Sequence, residues 1–348
     1  MKGRWIRAAV VAAALAGAVL PLPPGAVERW YSQALYPRLQ QGITPLTNRA
    51  PIALLDLTIV ITLALLVALV ARRIRRAGFV RGFLSGMLTL ATIVASVYVA
   101  FLVLWGLNYR RLPLEERLQF DAARVTQQAA TALAHEAVQS ANALYVDARQ
   151  AASEQALWDA FVRVHPGVGI TWIPRAAVPK RSLLQVYFRR AAIDGMTDPF
   201  FLEIILNPDL LPFERPFVLA HEWAHLSGHA DEAEASYVAW LACMNADPAA
   251  RYSAWLAVYA HVTGGLPRDD RRALAAALAE GPREDLRAAA ARNARAAPAL
   301  TRVARESYDV YLRANRVDEG IGSYEGVVRL ILGTSGDGGR SPRLRAGD

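Results

Sequence analysis

The chain has very little cysteine. Cys243 is the single cysteine among its 348 residues, so no disulfide can form within the chain. A domain facing an oxidising compartment must then be held together by its buried core. About 240 residues follow the last long apolar run, and that is enough chain to bury a core without covalent cross-links.

The chain also lacks the features of a nucleic-acid-binding protein. Its formal net charge is +8, but five of its arginines lie in one short segment, residues 72–81. No basic stripe interleaved with aromatic residues appears later, and no internal repeat is evident. We therefore expect no nucleic-acid partner, and we assign the remaining positive charge to the solvated surface.

Long apolar runs, in contrast, are present. The chain is 54% hydrophobic, and residues 52–71, with Asp56 as their only charge, and 83–107, with none, can each cross a hydrocarbon core of about 30 Å. Residues 5–22 are shorter and end in PLPPG, so they form either a first span or a signal-peptide core, and we favour an uncleaved span. The sequence thus predicts a membrane anchor of three transmembrane helices over residues 1–107.

The distribution of basic residues predicts the orientation of these helices. Basic residues precede the first run and fill the segment 72–81 between the other two, as the positive-inside rule requires for cytoplasmic ends. The third helix then runs outward. We expect a multi-pass protein of the cytoplasmic membrane with the lipid bilayer as partner, an extracytoplasmic domain over residues 108–332 and a disordered tail over residues 333–348.

The motif HEWAH carries the strongest chemical signal. It lies on a predicted helix bounded by a proline and a glycine, where His221 and His225 share one face and can bind the same metal ion. Glu222 is one position round and can reach a water bound to that ion. A zinc-bound water with a pKa near 7 and a neighbouring carboxylate base perform metal-assisted hydrolysis. Because HExxH also occurs by chance, its context must decide.

A catalytic zinc ion needs a third protein ligand and one open position. Glu234, nine residues after His225, fits a second antiparallel helix that supplies a glutamate, and we prefer it. Asp231 fits the pattern HExxHxxGxxD, and Glu232 is also near. Glu232 and Glu234 are about 200° apart on a helix, so they cannot both face one ion. Asp231 and Glu234 also have the spacing of a capping box.

Other residues near the motif receive structural roles. We expect His229 to lie in an exposed loop, and Cys243 to be a small buried residue because nothing nearby supplies the base that a nucleophile needs. Aromatic residues at helical spacing belong to the core, namely Trp223, Tyr237 and Trp240. Four residues are candidates for the donor that stabilises a tetrahedral oxyanion, and spacing singles out none of them: Tyr252, His261, Tyr311 and Tyr324.

The predicted fold is mainly α with a small β element. Residues 27–35 form a short amphipathic helix, which lies on the membrane surface or packs on the soluble domain. Strands are expected at residues 169–173 and Phe201–Asn207, the second being either a substrate-binding edge or a buried structural strand. Helices are predicted at residues 121–152, 154–164, 231–245, 248–262 and 268–279 and from 283 onward, with a break at Pro298.

Several strings together resemble an uncharacterised family of bacterial membrane proteins with three N-terminal spans and an HExxH domain. They are VERWYSQALYP, WGLNYRR, HEWAHLSGHADEAEASYVAWLAC and YLRANRVDEGIGSYEGVVRLIL. The resemblance implies a zincin-like fold, a zinc metallopeptidase activity and, from the string EASY, Glu234 as third ligand. It implies no substrate.

We therefore expect Zn²⁺ held by His221, His225 and Glu234 in a zincin-like domain. Glu222 would take a proton from the bound water, and the enzyme would hydrolyse peptide bonds outside the membrane. The alternative is a catalytically silent membrane scaffold, or a metal-dependent binding module, that has kept the fold.

Overall fold

The computed structural model describes residues 2–77, 79–315, 326–334 and 340–345, so the candidate donor Tyr324 lies outside the described residues. Within them the chain is mainly helical. The helices are α1 (Lys2–Val19), α2 (Pro24–Ala26), a π-helix (Val27–Leu35), α3 (Tyr36–Thr47), α4 (Leu54–Ala77), α5 (Phe79–Leu104), α6 (Leu114–Arg117), α7 (Gln127–Leu144), α8 (Glu154–Val164), α9 (Gln185–Ala191), α10 (Arg215–Leu226), α11 (Glu232–Met244), α12 (Pro248–Gly264), α13 (Arg268–Ala277), α14 (Glu280–Asn293), α15 (Pro298–Ala314) and α16 (Gly326–Gly333). Two strands, β1 (Gly195–Asp198) and β2 (Glu203–Leu206), form one antiparallel sheet.

The N-terminal helices include one clear candidate for a membrane span. Residues Leu54–Arg76 of α4 are long and apolar enough to cross a bilayer. Residues Trp5–Val19 qualify only together with Pro24–Thr47, from which they are bent by 117°, and the apolar segment Thr89–Leu104 of α5 is shorter. The described chain thus contains one or two candidate spans, where the sequence predicted three.

The segment Pro24–Thr47 packs on the domain that follows α5. Tyr36 donates a hydrogen bond to the carbonyl of Leu226 at 2.7 Å, and Thr44 donates one to Leu202 at 2.9 Å. One face of the π-helix is buried, while Trp30 on the opposite face is 68% exposed. The buried face of residues 27–35 packs on the domain that follows α5, which is one of the two arrangements expected from the sequence.

The hydrophobic core is built around α11. This helix is buried on all sides, and α8, α10, α12 and α16 pack against it. Trp223, Tyr237, Trp240 and Cys243 are buried, which confirms the roles predicted for them. The same core includes Phe101 and other residues at the end of α5, so the π-helix, α3 and this end of α5 share one packed interior with the following domain.

The two-stranded sheet decides between the two roles predicted for Phe201–Asn207. β2 is buried along its length, and the main-chain N–H of Lys180 donates to the carbonyl of Ile204 on the side away from β1. β2 therefore has neighbours on both sides and is the buried structural strand, while β1 is the edge strand. The predicted strand at residues 169–173 is not formed.

The first turn of α4 is tied to the domain. Asp56, the only charge in the run 52–71, is buried and accepts hydrogen bonds from the Ser182 hydroxyl at 3.0 Å and the Leu183 N–H at 2.6 Å. Ala53 N–H donates to the carbonyl of Arg181 at 3.0 Å. The charge that interrupts the apolar run is thus explained by its contact with the domain at the first turn of α4.

Candidate metal centre

Helix α10 presents the two histidines of the motif on one face. Proline near its start fixes the first turn, and the Nε2 atoms of His221 and His225 lie 3.0 Å apart. Gly228 adopts a left-handed φ of +94°, which L side chains rarely tolerate, and there the chain turns from α10 toward α11. The two helices are therefore joined by a short loop that fixes the phase of α11 relative to α10.

The carboxylate that reaches the histidines belongs to Glu232. Its oxygens lie 3.1 Å from Nε2 of His221 and 3.5 Å from Nε2 of His225. One ligand atom from each of the three residues falls within 4.8 Å of the others. The sequence favoured Glu234 for this position, but α11 begins at Glu232, and its first residue points back across the loop to α10. Glu234, about 200° further round, faces the opposite side.

Glu234 is instead part of a buried polar network. It accepts hydrogen bonds from the Leu114 N–H at 2.5 Å and from Nδ1 of His229 at 3.3 Å, and it lies 3.8 Å from the Arg117 guanidinium. Burial raises the pKa of Glu234, but His229 and the nearby arginines outweigh burial and hold the pKa below its ordinary value. Asp231 caps α11 by accepting from the N–H groups of Ala233 and Glu234.

His229 was expected in an exposed loop, and the structure corrects this. Its side chain is fully buried, and burial lowers its pKa to about 3, so the ring is neutral. The loop is short enough that α10, α11 and Arg111, which donates to the carbonyl of Gly228 at 2.9 Å, enclose it. The main-chain carbonyl of His229 lies 2.7 Å from Nδ1 of His225.

Both histidines are oriented through their second ring nitrogen. His225 Nδ1–H donates to the carbonyl of His229 at 2.7 Å, and His221 Nδ1 lies 3.1 Å from the Ser236 hydroxyl. A carbonyl can only accept, so Nδ1 of His225 carries the proton and its Nε2 faces the cluster. Partners of this kind fix ring orientation in metal sites. Trp105, the residue after α5, donates its Nε1–H to the carbonyl of His225 at 3.0 Å and so holds the last turn of α10.

The donor set fits a zinc ion. Two imidazole nitrogens 3.0 Å apart repel each other unless a proton or a cation lies between them. Zinc–nitrogen bonds of about 2.1 Å with tetrahedral angles would place the two nitrogens about 3.4 Å apart. Burial lowers the pKa of His225, but Glu232 outweighs it and raises that pKa to about 9, so the cluster attracts positive charge strongly. Zinc binding would displace that proton.

Glu222 lies beside the histidines and against β1. The Thr197 hydroxyl donates to its Oε2 at 2.8 Å. A Cβ at Gly195 would lie 2.5 Å from its Oε1, so only glycine leaves room for the carboxylate there. Burial raises the pKa of Glu222 above its ordinary value, although His221 and His225 oppose this shift. A buried carboxylate with a raised pKa suits proton transfer.

An aromatic wall closes the other side of the cluster. Tyr308 of α15 donates a short hydrogen bond to Glu232 Oε1, and its ring stacks on Tyr311 at 5.8 Å between centroids. Tyr311 in turn packs edge-on against Tyr109, with centroids 5.9 Å apart. The sequence did not single out Tyr308. Its only signal was the pair of tyrosines three residues apart on one helix.

The predicted donor candidates are placed as follows. Tyr311 lies one layer behind Tyr308. Tyr252 donates to Asp285 at 2.7 Å, away from the cluster. His261 is half-buried, and burial and the nearby His221 lower its pKa to about 4. The tyrosine that hydrogen-bonds to Glu232 is Tyr308, which was not among the candidates.

A family profile described as "Protein of unknown function (DUF3810)" matches residues 31–332. The chain belongs to this family. The matched residues run from within the π-helix to within α16 and include α4, α5, α10 and α11. No curated protein matches the chain. No solved structure matches it either.

Proposed function

We propose that the chain is a membrane-anchored zinc hydrolase that cleaves peptide bonds at a site formed by α10 and α11. His221, His225 and Glu232 hold the metal, and Glu222 is the proton-transferring base. The observation that carries the proposal is the convergence of both Nε2 atoms and the Glu232 carboxylate, while both Nδ1 atoms are held by other groups. Three protein ligands leave one position of a tetrahedral zinc site open.

The residues around the metal have distinct tasks. When bound, zinc polarises a carbonyl oxygen and brings the pKa of its water to near 7. Glu222 accepts a proton from the attacking water and passes it to the leaving amine. Thr197 holds the Glu222 carboxylate in position. Tyr308 orients the Glu232 carboxylate by donating its hydroxyl proton to it.

The edge strand β1 suits an extended peptide. Asn207 N–H donates to the carbonyl of Asp194 at 2.8 Å, so in this antiparallel ladder the alternate residues Gly195 and Thr197 turn their main-chain groups away from β2. The Thr197 hydroxyl donates to the main-chain carbonyl of Glu222 at 3.0 Å. A Cβ at Gly195 would lie too close to the Glu222 carboxylate. A substrate strand added to β1 would therefore pass beside the proposed base.

The arrangement of the N-terminal helices supports an extracytoplasmic site. The end of α1, the start of α4 and the end of α5 all contact the domain, through Arg110 to Gly17, Ser182 to Asp56, and Trp105 to His225. The arginines of residues 72–81 lie at the end of α4 and the start of α5, opposite the helix ends that contact the domain. With the positive-inside rule, we propose a multi-pass protein of the bacterial cytoplasmic membrane whose catalytic domain faces outward.

The decisive experiment measures zinc and cleavage in the full-length protein, because the anchor and the domain share one core. We expect about one zinc ion per chain, lost in His221→Ala, and cleavage of a quenched-fluorescent peptide library. Glu222→Gln should keep the zinc and lose at least about 1000-fold in cleavage rate. Stoichiometric zinc with no cleavage would identify a metal-dependent binding module, and absence of zinc would identify a silent scaffold.

A further inference from the structure

We propose that residues 173–190 form a second membrane-contact element, which places apolar side chains in the outer leaflet and binds anionic phospholipid headgroups through arginines. The proposal rests on the membrane span proposed for α4. It concerns a surface distinct from the metal centre.

The position of this element follows from its contacts with α4. Arg181, Ser182 and Leu183 all hydrogen-bond to residues Ala53 and Asp56, at the first turn of that helix. Beyond this turn, α4 has almost no protein cover, and its side chains are exposed and apolar. The bilayer surface must therefore cross close to the first turn, and Leu183 lies at the same level.

The element also carries most of the exposed apolar surface of the domain. Ten large hydrophobic residues beyond residue 104 are strongly exposed in the described chain, and six of them fall within residues 173–187. Leu183 is 70% exposed and Val186 60%. Patches of this kind mark contact surfaces rather than ordinary solvated surface. The six are Ile173, Val178, Leu183, Leu184, Val186 and Tyr187.

Charge identifies the occupant as lipid with an anionic headgroup. Residues 171–193 contain five basic residues and no acidic residue. Lys180 is paired with Glu203 and Arg189 with Asp209, whereas Arg175, Arg181 and Arg190 have no ion pair among the described residues. Basic residues beside inserted apolar side chains are the pattern of an interfacial membrane contact, because they are attracted to an anionic lipid surface.

The contact would also place the edge strand. Helix α9 ends at Ala191 and β1 begins at Gly195, so an element held in the interface keeps β1 close to the bilayer. Peptide segments just outside the membrane would then reach the metal centre without leaving the surface.

The test uses nitroxide labels on the full-length protein in nanodiscs of phosphatidylcholine and phosphatidylglycerol. Labels are attached to Leu183→Cys and Val186→Cys, with Leu65→Cys in α4 as the bilayer reference and Val146→Cys, at a residue 75% exposed elsewhere on the domain, as the aqueous reference. Cys243 is fully buried and should stay unlabelled. Collisions with oxygen report lipid, and collisions with a water-soluble nickel chelate report water.

We expect positions 183 and 186 to resemble position 65, with high oxygen and low nickel access, and position 146 to show the opposite. Nickel access at 183 and 186 equal to that at 146, with position 65 in lipid, would overturn the proposal alone. Nickel access at 65 would overturn the α4 span as well. Changing to pure phosphatidylcholine should raise nickel access at 183 about twofold, and Arg181→Gln with Arg190→Gln should abolish this difference. No lipid dependence would overturn the headgroup contact.

Discussion

Glu232 and Glu234 are two buried carboxylates on the first turn of α11, and their surroundings are opposite. Glu232 faces α10, where two histidines and Tyr308 surround it. Glu234 faces the segment after α5, where it meets a main-chain N–H, a neutral histidine and Arg117. Two residues of separation on a helix therefore divide the side of the proposed metal site from a structural side.

This difference teaches that spacing alone does not assign a ligand. Both glutamates are ionised, Glu232 because the histidines outweigh the burial that raises its pKa, and Glu234 because His229 and the arginines do the same. Charge and burial are thus alike on the two sides. What separates them is the chemistry of the neighbours. Glu232 faces two imidazole nitrogens that could bind a cation together with it. Glu234 faces hydrogen-bond donors and a guanidinium that already satisfy its charge.

The largest expected effect is on zinc binding. Glu232→Gln removes the charge and one ligand atom, so we expect zinc affinity to fall by more than about 100-fold. Glu234→Gln should lower it less than about 10-fold, because Glu234 touches the site only through His229. Competition against a chromophoric chelator measures both variants of the full-length protein. The reverse order of effects would restore Glu234 as the ligand and contradict the division between the two sides.

The second prediction concerns the stability of the fold and tests the structural role of Glu234. Glu234→Gln removes one of the two carboxylates beside the buried Arg117 and leaves Glu28, 3.7 Å away, as the other, so we expect the free energy of unfolding to fall by about 3 kcal/mol. Glu154→Gln, which breaks the exposed pair with Arg215, should cost well under about 1 kcal/mol. Denaturant unfolding of the purified protein in detergent compares the two. Equal effects would show that the network around Glu234 does not support the fold.

Much of the local structure could be predicted from the sequence. The bounds of α8, α10, α11 and α12 follow from their caps, prolines and apolar periodicity, and the core aromatics of α11 were placed correctly. These features depend on neighbours within a few residues. The capping role of Asp231 is of the same kind.

The rest depends on contacts between distant parts of the chain. Which face of α11 meets α10 is decided by a five-residue loop and by a glycine with positive φ, not by the helix itself. Tyr308 reaches Glu232 across 76 residues, and β1 reaches Glu222 across 25. The burial of His229 depends on Arg111 and the surrounding helices. No pattern within one segment contains this information.

The smallest expected effect concerns a residue on the same side of α11 as Glu232, one turn further along the helix. Ser236 lies four residues on and meets Nδ1 of His221 at 3.1 Å. Ser236→Ala removes the group that orients this ring, so we expect zinc affinity to fall by about 10-fold, the lower end for an outer-shell partner. Ser253→Ala removes a buried serine that contacts the start of α10 and no histidine, and should leave affinity unchanged. If both serine variants bind zinc alike, His221 is oriented by packing alone, and the metal-binding side of α11 reduces to Glu232.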